Sequence, residues 1–276
     1  MRRRDFLVAT GAALGGGAAC WNEARTAHAP YLGRIGLQLY TARDLMAADF
    51  DGTLAAVARI GYREVEFAGY FGRTPEDVRS VLAAAGLDAP SSHVGFETLE
   101  HGWDEVLATA RAVGHQYVVV PWLPGDRRSV AGYRSVAALF ERRGAEARDA
   151  GLGFAYHNHD FEFADLGGAI GYDILCEETS AENVQLQMDL FWTVKGGGDP
   201  LAYFARYPGR FPMVHVKDMD ADGRMVDPGR GRIDFPAMVA RRDQAGIRHW
   251  FVEHDDSANV METLRAGYAY LYAMGR

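Results

Sequence analysis

From Arg34 to the C-terminus the chain repeats one pattern: a short apolar run rich in β-branched or aromatic residues, a polar tip, then an amphipathic stretch ending near glycine. Short apolar runs bounded by turn residues read as strands, and apolar residues spaced by three and four read as helices. Strands are predicted over 35–40, 64–68, 90–94, 117–122, 153–159, 184–190, 213–216 and 250–253. Helical segments lie between them, over 54–60, 75–85, 103–113, 130–150, 172–176, 200–207 and 235–244, with 260–273 last. Gly61, Gly86, Gly114, Gly151 and Gly246 stand where helix C-caps belong. Eight such units in one chain of 276 residues predict a single α/β domain closed as a (β/α)8 barrel, not a doubly wound sheet.

The polar tips then acquire a meaning. Chemistry in such barrels sits at the C-terminal ends of the strands, which is where Glu66, His93, His157, His159, Asp189, His215 and Glu253 fall. The densest group is Tyr156-His157-Asn158-His159-Asp160-Phe161-Glu162-Phe163. On a strand Ala155, His157 and His159 share a face, so two imidazoles converge on one side. Likewise Gln185, Gln187 and Asp189 face inward and Leu186, Met188 and Leu190 outward, while Val214 and Val216 flank an inward His215. Imidazole and carboxylate are ligands for Mn²⁺, Zn²⁺, Co²⁺ or Fe²⁺.

Other strand-end residues invite weaker readings. Lys217 and Asp218 suit contact with substrate hydroxyls or a surface ion pair. Trp122, Phe96, Phe191 and Trp192 suit stacking on sugar faces or packing in the core, and Gln38 and Tyr40 stand where the barrel mouth would close. Pro228-Gly229-Arg230-Gly231 reads as a turn and Asp234 as a helix cap; His101 and His115 read as surface residues.

Residues 1–29 stand apart from this fold. Arg2-Arg3-Arg4-Asp5-Phe6-Leu7 precedes a weakly apolar, Gly/Ala-rich run from Val8 to Ala19, the form of a twin-arginine export signal to the periplasm. Ala27-His28-Ala29 offers a cleavage site, and Ala18-Ala19-Cys20 offers instead a lipid-anchor site at Cys20. The run is too short and glycine-rich to be a transmembrane segment. Residues 30–276 form the predicted barrel and hold 25 basic against 35 acidic side chains, which argues against a nucleic-acid partner. With Cys20 in the leader, Cys176 is the one remaining cysteine, so no internal disulfide is expected.

With Glu66, His93, the His157 strand, Asp189, His215-Val216-Lys217-Asp218 and Glu253 in this order, residues 34–276 resemble the xylose-isomerase-like TIM-barrel superfamily of sugar phosphate isomerases and epimerases. The resemblance implies one divalent ion, Mn²⁺ favoured over Zn²⁺, Co²⁺ or Mg²⁺. Its ligands would come from strands five to eight: His157, Asp189, His215 and Glu253. Two positions depart from the pattern: His157 stands where the epimerases carry glutamate, and Trp192 where they often carry histidine. The implied acid/base groups are Glu253 on one side and His159, Glu162 or His93 on the other, with Glu66, Trp122, Trp192 and Lys217 against the substrate.

These residues imply an enzyme that takes a proton from a carbon beside the carbonyl of a sugar or keto-sugar, giving an enediolate. The expectation is an isomerase or epimerase; a carbon–oxygen lyase acting on a keto-sugar or 3-keto-glycoside is the alternative. A non-catalytic periplasmic sugar-binding barrel is the reading from a different class. An endonuclease of the abasic-site group, with three zinc ions, fits the acidic charge poorly. The expected partner is a small carbohydrate, and the sequence leaves open whether the chain forms an oligomer.

Overall fold

A computed structural model describes residues 32–275; the twin-arginine motif, the cleavage site and Cys20 lie outside the described residues. The eight predicted strands form β1 (Ile35–Gln38), β2 (Glu64–Phe67), β3 (Asp88–His93), β4 (Tyr117–Val120), β5 (Gly153–His157), β6 (Gln185–Asp189), β7 (Met213–Val216) and β8 (His249–Val252). Each pairs in parallel with the next, and β8 returns to β1 with Ile35 opposite Trp250, so the sheet closes. The amide of His254 donates to Thr41 Oγ1 across that seam, at 3.0 Å.

The helices start and stop where local chemistry dictates. In the helix Pro75–Ala85, Thr74 and Asp77 form a reciprocal capping box and Pro75 occupies the first turn, where its missing N–H costs nothing. Val78 and Leu82, one turn apart, bury the face turned to the barrel, and Gly86 at φ +67° ends the helix in the left-handed region. Replacing Thr74 with Ala would cost roughly 1 kcal/mol.

The core has two layers. The outer one, between strands and helices, contains Leu37, Val65, Val118, Phe154, Leu186, Val214 and Trp250. The inner one is a plug of Tyr117, Val119, Ala155, Met213 and Phe251 inside the barrel. Below it, Glu64 and His249 pair at 2.8 Å. The plug leaves room for chemistry only above it, at the C-terminal strand ends.

Several boundaries differ from expectation. The fifth strand stops at His157, because Asn158 and Glu162 turn the backbone into a short 3-10 helix, Phe161–Phe163. The predicted helix 235–244 is two, Phe235–Val239 and Arg242–Ala245. A short helix, Leu190–Lys195, was hidden because it begins directly on β6, capped by Asp189. A small hairpin, Asp218–Met219 with Met225–Val226, follows β7. There Asp218 is neither a substrate contact nor a surface ion pair: it is buried and accepts backbone N–H bonds from Met219, Gly229, Gly231 and Ile233 at 2.8–3.1 Å. A side chain at Gly231 would collide with that carboxylate. His115 is also buried, held by Tyr70 Oη at 2.8 Å and the Ala89 carbonyl at 2.7 Å. Phe96 and Phe191 pack in the core. Among the described residues no helix is long and apolar enough to cross a membrane.

Candidate functional site

At the centre of the barrel, just above the plug, Glu66 is fully buried and saturated with donors. Its Oε1 accepts from Gln38 Nε2 and His215 Nε2, each at 2.6 Å; its Oε2 accepts from Ser91 Oγ and Gln187 Nε2, also at 2.6 Å. His93 Nε2 lies 3.0 Å from Glu66 Oε1 and 2.9 Å from Gln187 Oε1. Both are acceptors, so Nε2 carries a hydrogen. Burial alone would raise Glu66, but His93 and His215 hold it well below the ordinary carboxylate range. Inward-pointing residues of β1, β2, β3, β6 and β7 thus form one charged floor.

That floor fixes His215. With Nε2–H given to Glu66, Nδ1 faces Glu253 Oε2 at 2.6 Å, outside hydrogen-bond geometry. Asp189 Oδ2 is likewise without a hydrogen-bond partner, while its Oδ1 caps the following helix through the Trp192 amide at 2.8 Å. Ligand atoms of Asp189, His215 and Glu253 converge within 4.8 Å, and none of the three is in a well-formed hydrogen bond. This donor set fits a divalent cation. Without one, the carboxylates of Glu253 and Glu66 overcome burial and raise His215 to about 10.

Lys217 stands on the cavity side of the same cluster. Its buried ammonium lies 3.0 Å from Asp189 Oδ2, 2.8 Å from Glu253 Oε2 and 2.8 Å from Asp255 Oδ1. These three carboxylates outweigh desolvation and hold the lysine charged. In return Lys217 and His215 pull Glu253 below the carboxylate range against its burial. Asp189, the most enclosed, is pushed up to about 6 by burial.

The opposite flank is imidazole. The rings of His157 and His159 are 5.1 Å apart, and His157 lies 4.4 Å from the His215 ring and 5.4 Å from that of His93. Burial, then the neighbouring His215, His159 and His93, keep His157 neutral; burial and Lys217 lower His159 to about 3. The alternate positions turn away and brace these two. Asn158 Oδ1 accepts the Asp189 amide at 3.1 Å, and its Nδ2 donates to Thr193 Oγ1 at 3.1 Å. Glu162 accepts the His159 amide at 2.9 Å and the Tyr156 hydroxyl.

A cavity of about 780 Å³ opens above, lined by His93, His157, His159, Lys217, Glu253 and Asp255, with Tyr40, Trp122 and Trp192 higher up. Of the expected ligands, Asp189, His215 and Glu253 meet; His157 Nε2 is 3.8 Å from Asp189 Oδ2, and His157 also forms a second group with His93 and His215, within the same 4.8 Å. Two expectations need correction. Glu162 does not reach the substrate space, because it faces Tyr156 behind the barrel wall and is enclosed there. Glu66 is not exposed to a substrate either; it lies beneath His93 and His215 and positions them. Gln38 belongs to the same floor, not the mouth. Asp255 stands outside the expected set; it lies in the turn beyond β8, where strand alternation no longer applies, and reaches Lys217 from there.

Comparison with known proteins agrees with this architecture. The family described as xylose isomerase-like TIM barrel matches residues 54–273. The inosose dehydratase of Lacticaseibacillus casei is 29% identical over 270 residues, 81% of this chain and 89% of that protein. A sugar phosphate isomerase/epimerase from Parabacteroides distasonis superposes with a TM-score of 0.77 at 25% identity, covering 86% of this chain and 97% of that one. The IOLI protein, crystallised with a binding zinc atom, superposes with a TM-score of 0.71 at 15% identity over 87% of this chain and 97% of that one.

Proposed function

Because the chain belongs to the xylose isomerase-like TIM-barrel family, we propose that it is a divalent-metal-dependent carbon–oxygen lyase acting on a keto-sugar or cyclic polyol ketone. The observation that carries this reading is the asymmetry of the two flanks. Glu253 and Lys217 stand on one side, and the imidazoles of His157 and His159 stand on the other. Epimerisation by proton exchange needs a second group able to give a proton from the opposite face, and a neutral imidazole with its neighbours' positive potential against it is a poor donor. Syn elimination needs a single acid/base. Glu253 takes the proton from the carbon beside the carbonyl, the electron pair forms the new C=C bond, and the same carboxyl returns the proton to the departing β-oxygen. Water or an alcohol leaves, and Glu253 is regenerated.

The other residues assist. Lys217, 2.8 Å from Glu253, is placed to donate to the oxyanion that develops at the carbonyl, and His93, His157 and His159 accept from substrate hydroxyls. Asp189, His215 and Glu253, with His157 beside them, would hold the ion, which supplies Lewis-acid polarisation of the carbonyl. Mn²⁺ and Zn²⁺ both suit these ligands; Mn²⁺ is the first ion to test, and the zinc of the IOLI protein recommends the second. The relative named inosose dehydratase supports elimination, and the neighbour named isomerase/epimerase supports the second reading, epimerisation.

Proton NMR in D₂O, with an inosose and a panel of keto-sugars, separates the two. Elimination gives a product that has lost one oxygen, and solvent deuterium enters carbon as the resulting enol ketonises; epimerisation retains every oxygen and exchanges one C–H. Glu253→Gln is expected to lower turnover by roughly 10²-fold or more. Binding with neither exchange nor product by the metal-loaded protein would leave a sugar-binding barrel as the function.

A further inference from the structure

Among the described residues four large apolar side chains are markedly exposed, and two of them, Tyr40 at 43% and Trp122 at 48%, border the cavity. Tyr40 follows β1 and Trp122 follows β4, on widely separated parts of the rim. Neither ring is loose. The Arg43 guanidinium lies 4.3 Å from the Tyr40 ring centre while donating to the carbonyls of Tyr40 and Asp255 at 3.0 and 2.8 Å. The Arg128 guanidinium lies 4.4 Å from the Trp122 ring centre and grips the Leu123 carbonyl through Nε and Nη2, at 3.0 and 2.7 Å. His159 and Phe161 meet Trp122 edge to face, each at 4.8 Å. Each ring is thus backed by an arginine tied to the main chain, yet keeps much of its surface open. An aromatic surface held rigid and left half wet forgoes burial, and it is preorganised for a ring to stack on it.

The size of the cavity points the same way. A single sugar ring has about twelve non-hydrogen atoms; even at the roughly 30 Å³ that liquid water gives each oxygen, it takes about 360 Å³. The cavity, at about 780 Å³, has room for a second ring. The buried titratable groups His157, Lys217 and Glu253 form its floor, and the exposed part of its lining carries Tyr40 and Trp122 together with Lys195 and Asp256.

We infer that Tyr40 and Trp122 form a second, ring-stacking subsite, and that the ligand is a glycoside whose reacting sugar lies on the histidine floor while its other ring rests against the rim. This builds on the carbohydrate reading above and names its substrate class. A pyranose presents a C–H face and an aryl group a π face; either one stacks on these plates.

The test is calorimetric titration of the metal-loaded protein with methyl glucoside, phenyl glucoside and a glucosyl-glucose disaccharide. The parent protein is expected to bind at least one two-ring ligand about 10-fold or more tightly than methyl glucoside, and the pair of two-ring probes tells an aryl from a sugar second ring. Trp122→Ala is expected to abolish most of that preference, with methyl glucoside changed less than about twofold; Trp122→Phe, which keeps a ring, is expected to retain it. Equal affinity of the parent for all three ligands overturns the subsite. So does an equal loss for all three in Trp122→Ala, which would make Trp122 merely a support for His159. Deuterium exchange on a small keto-sugar by the parent reports separately on the proposed reaction, so failure of one claim is distinguishable from failure of the other.

Discussion

Glu66 receives four short hydrogen bonds as well as contact with His93, and all of these donors need an anionic acceptor. Glu66→Gln would turn one acceptor oxygen into an NH₂ facing donors in an enclosed site. The expected cost is about 3 kcal/mol in a metal-free denaturant melt, since buried donors lose their partner. His215 would also lose the group that fixes its tautomer, so metal affinity, followed by titration, should fall roughly 10- to 100-fold. Unchanged affinity would show that Glu66 does not orient His215. The strand-end position of Glu66 was legible in the sequence, but its depth was not. Alternation gives the face a side chain takes, and depth depends on which neighbours are large enough to cover it, here Gln38, Gln187 and His93. The same limit explains why Asp189, His215 and Glu253 could be read as one group while the burial of Lys217 against them could not.

At the scale of elements, the segment after β5 shows what periodicity misses. All eight strands begin within two residues of where the apolar runs place them; β3 and β8 start earlier and β6 one residue later. The turn at His157 was missed because side-chain bonds from Asn158 and Glu162 make it, and such bonds leave no hydrophobic pattern. Glu162 gives this turn a pH dependence. Burial raises its carboxyl from the ordinary 4.5 to about 8, against the hydrogen bonds from Tyr156 and His159. The folded state then keeps a proton that the unfolded chain releases above about 4.5, so this group's contribution is fully present below that pH and is lost as pH climbs through about 8. The slope approaches roughly 1.4 kcal/mol per pH unit inside the window. Denaturant midpoints between pH 5 and 9 should fall for the parent and fall less for Glu162→Gln, whose side chain is neutral throughout. Parallel curves would mean that Glu162 is already ionised in the fold.

At the scale of the whole molecule, residues 1–29 lie outside the described residues, and we propose that they direct export by the twin-arginine route. Changing Arg3 and Arg4 to Lys keeps the charge but removes the guanidinium pair, so the protein should remain in the cytoplasm; an unchanged periplasmic yield would count against the route. The barrel itself was readable because eight weak local signals had to agree on one closed arrangement, whereas the hairpin after β7 is the one separate two-stranded sheet among the described residues and nothing reinforces its signal. Closure also fixes where the two ends of the described chain lie. β1 starts at the base of the barrel, the helix Val260–Met274 runs back to that level, and Leu32 packs against Gly275 there. The mouth with its histidines is at the far end. Any tether attached ahead of Leu32, whether a retained leader or a lipid at Cys20, would therefore hold the molecule by its base. A substrate arriving from the surrounding medium would meet an open mouth instead of a membrane.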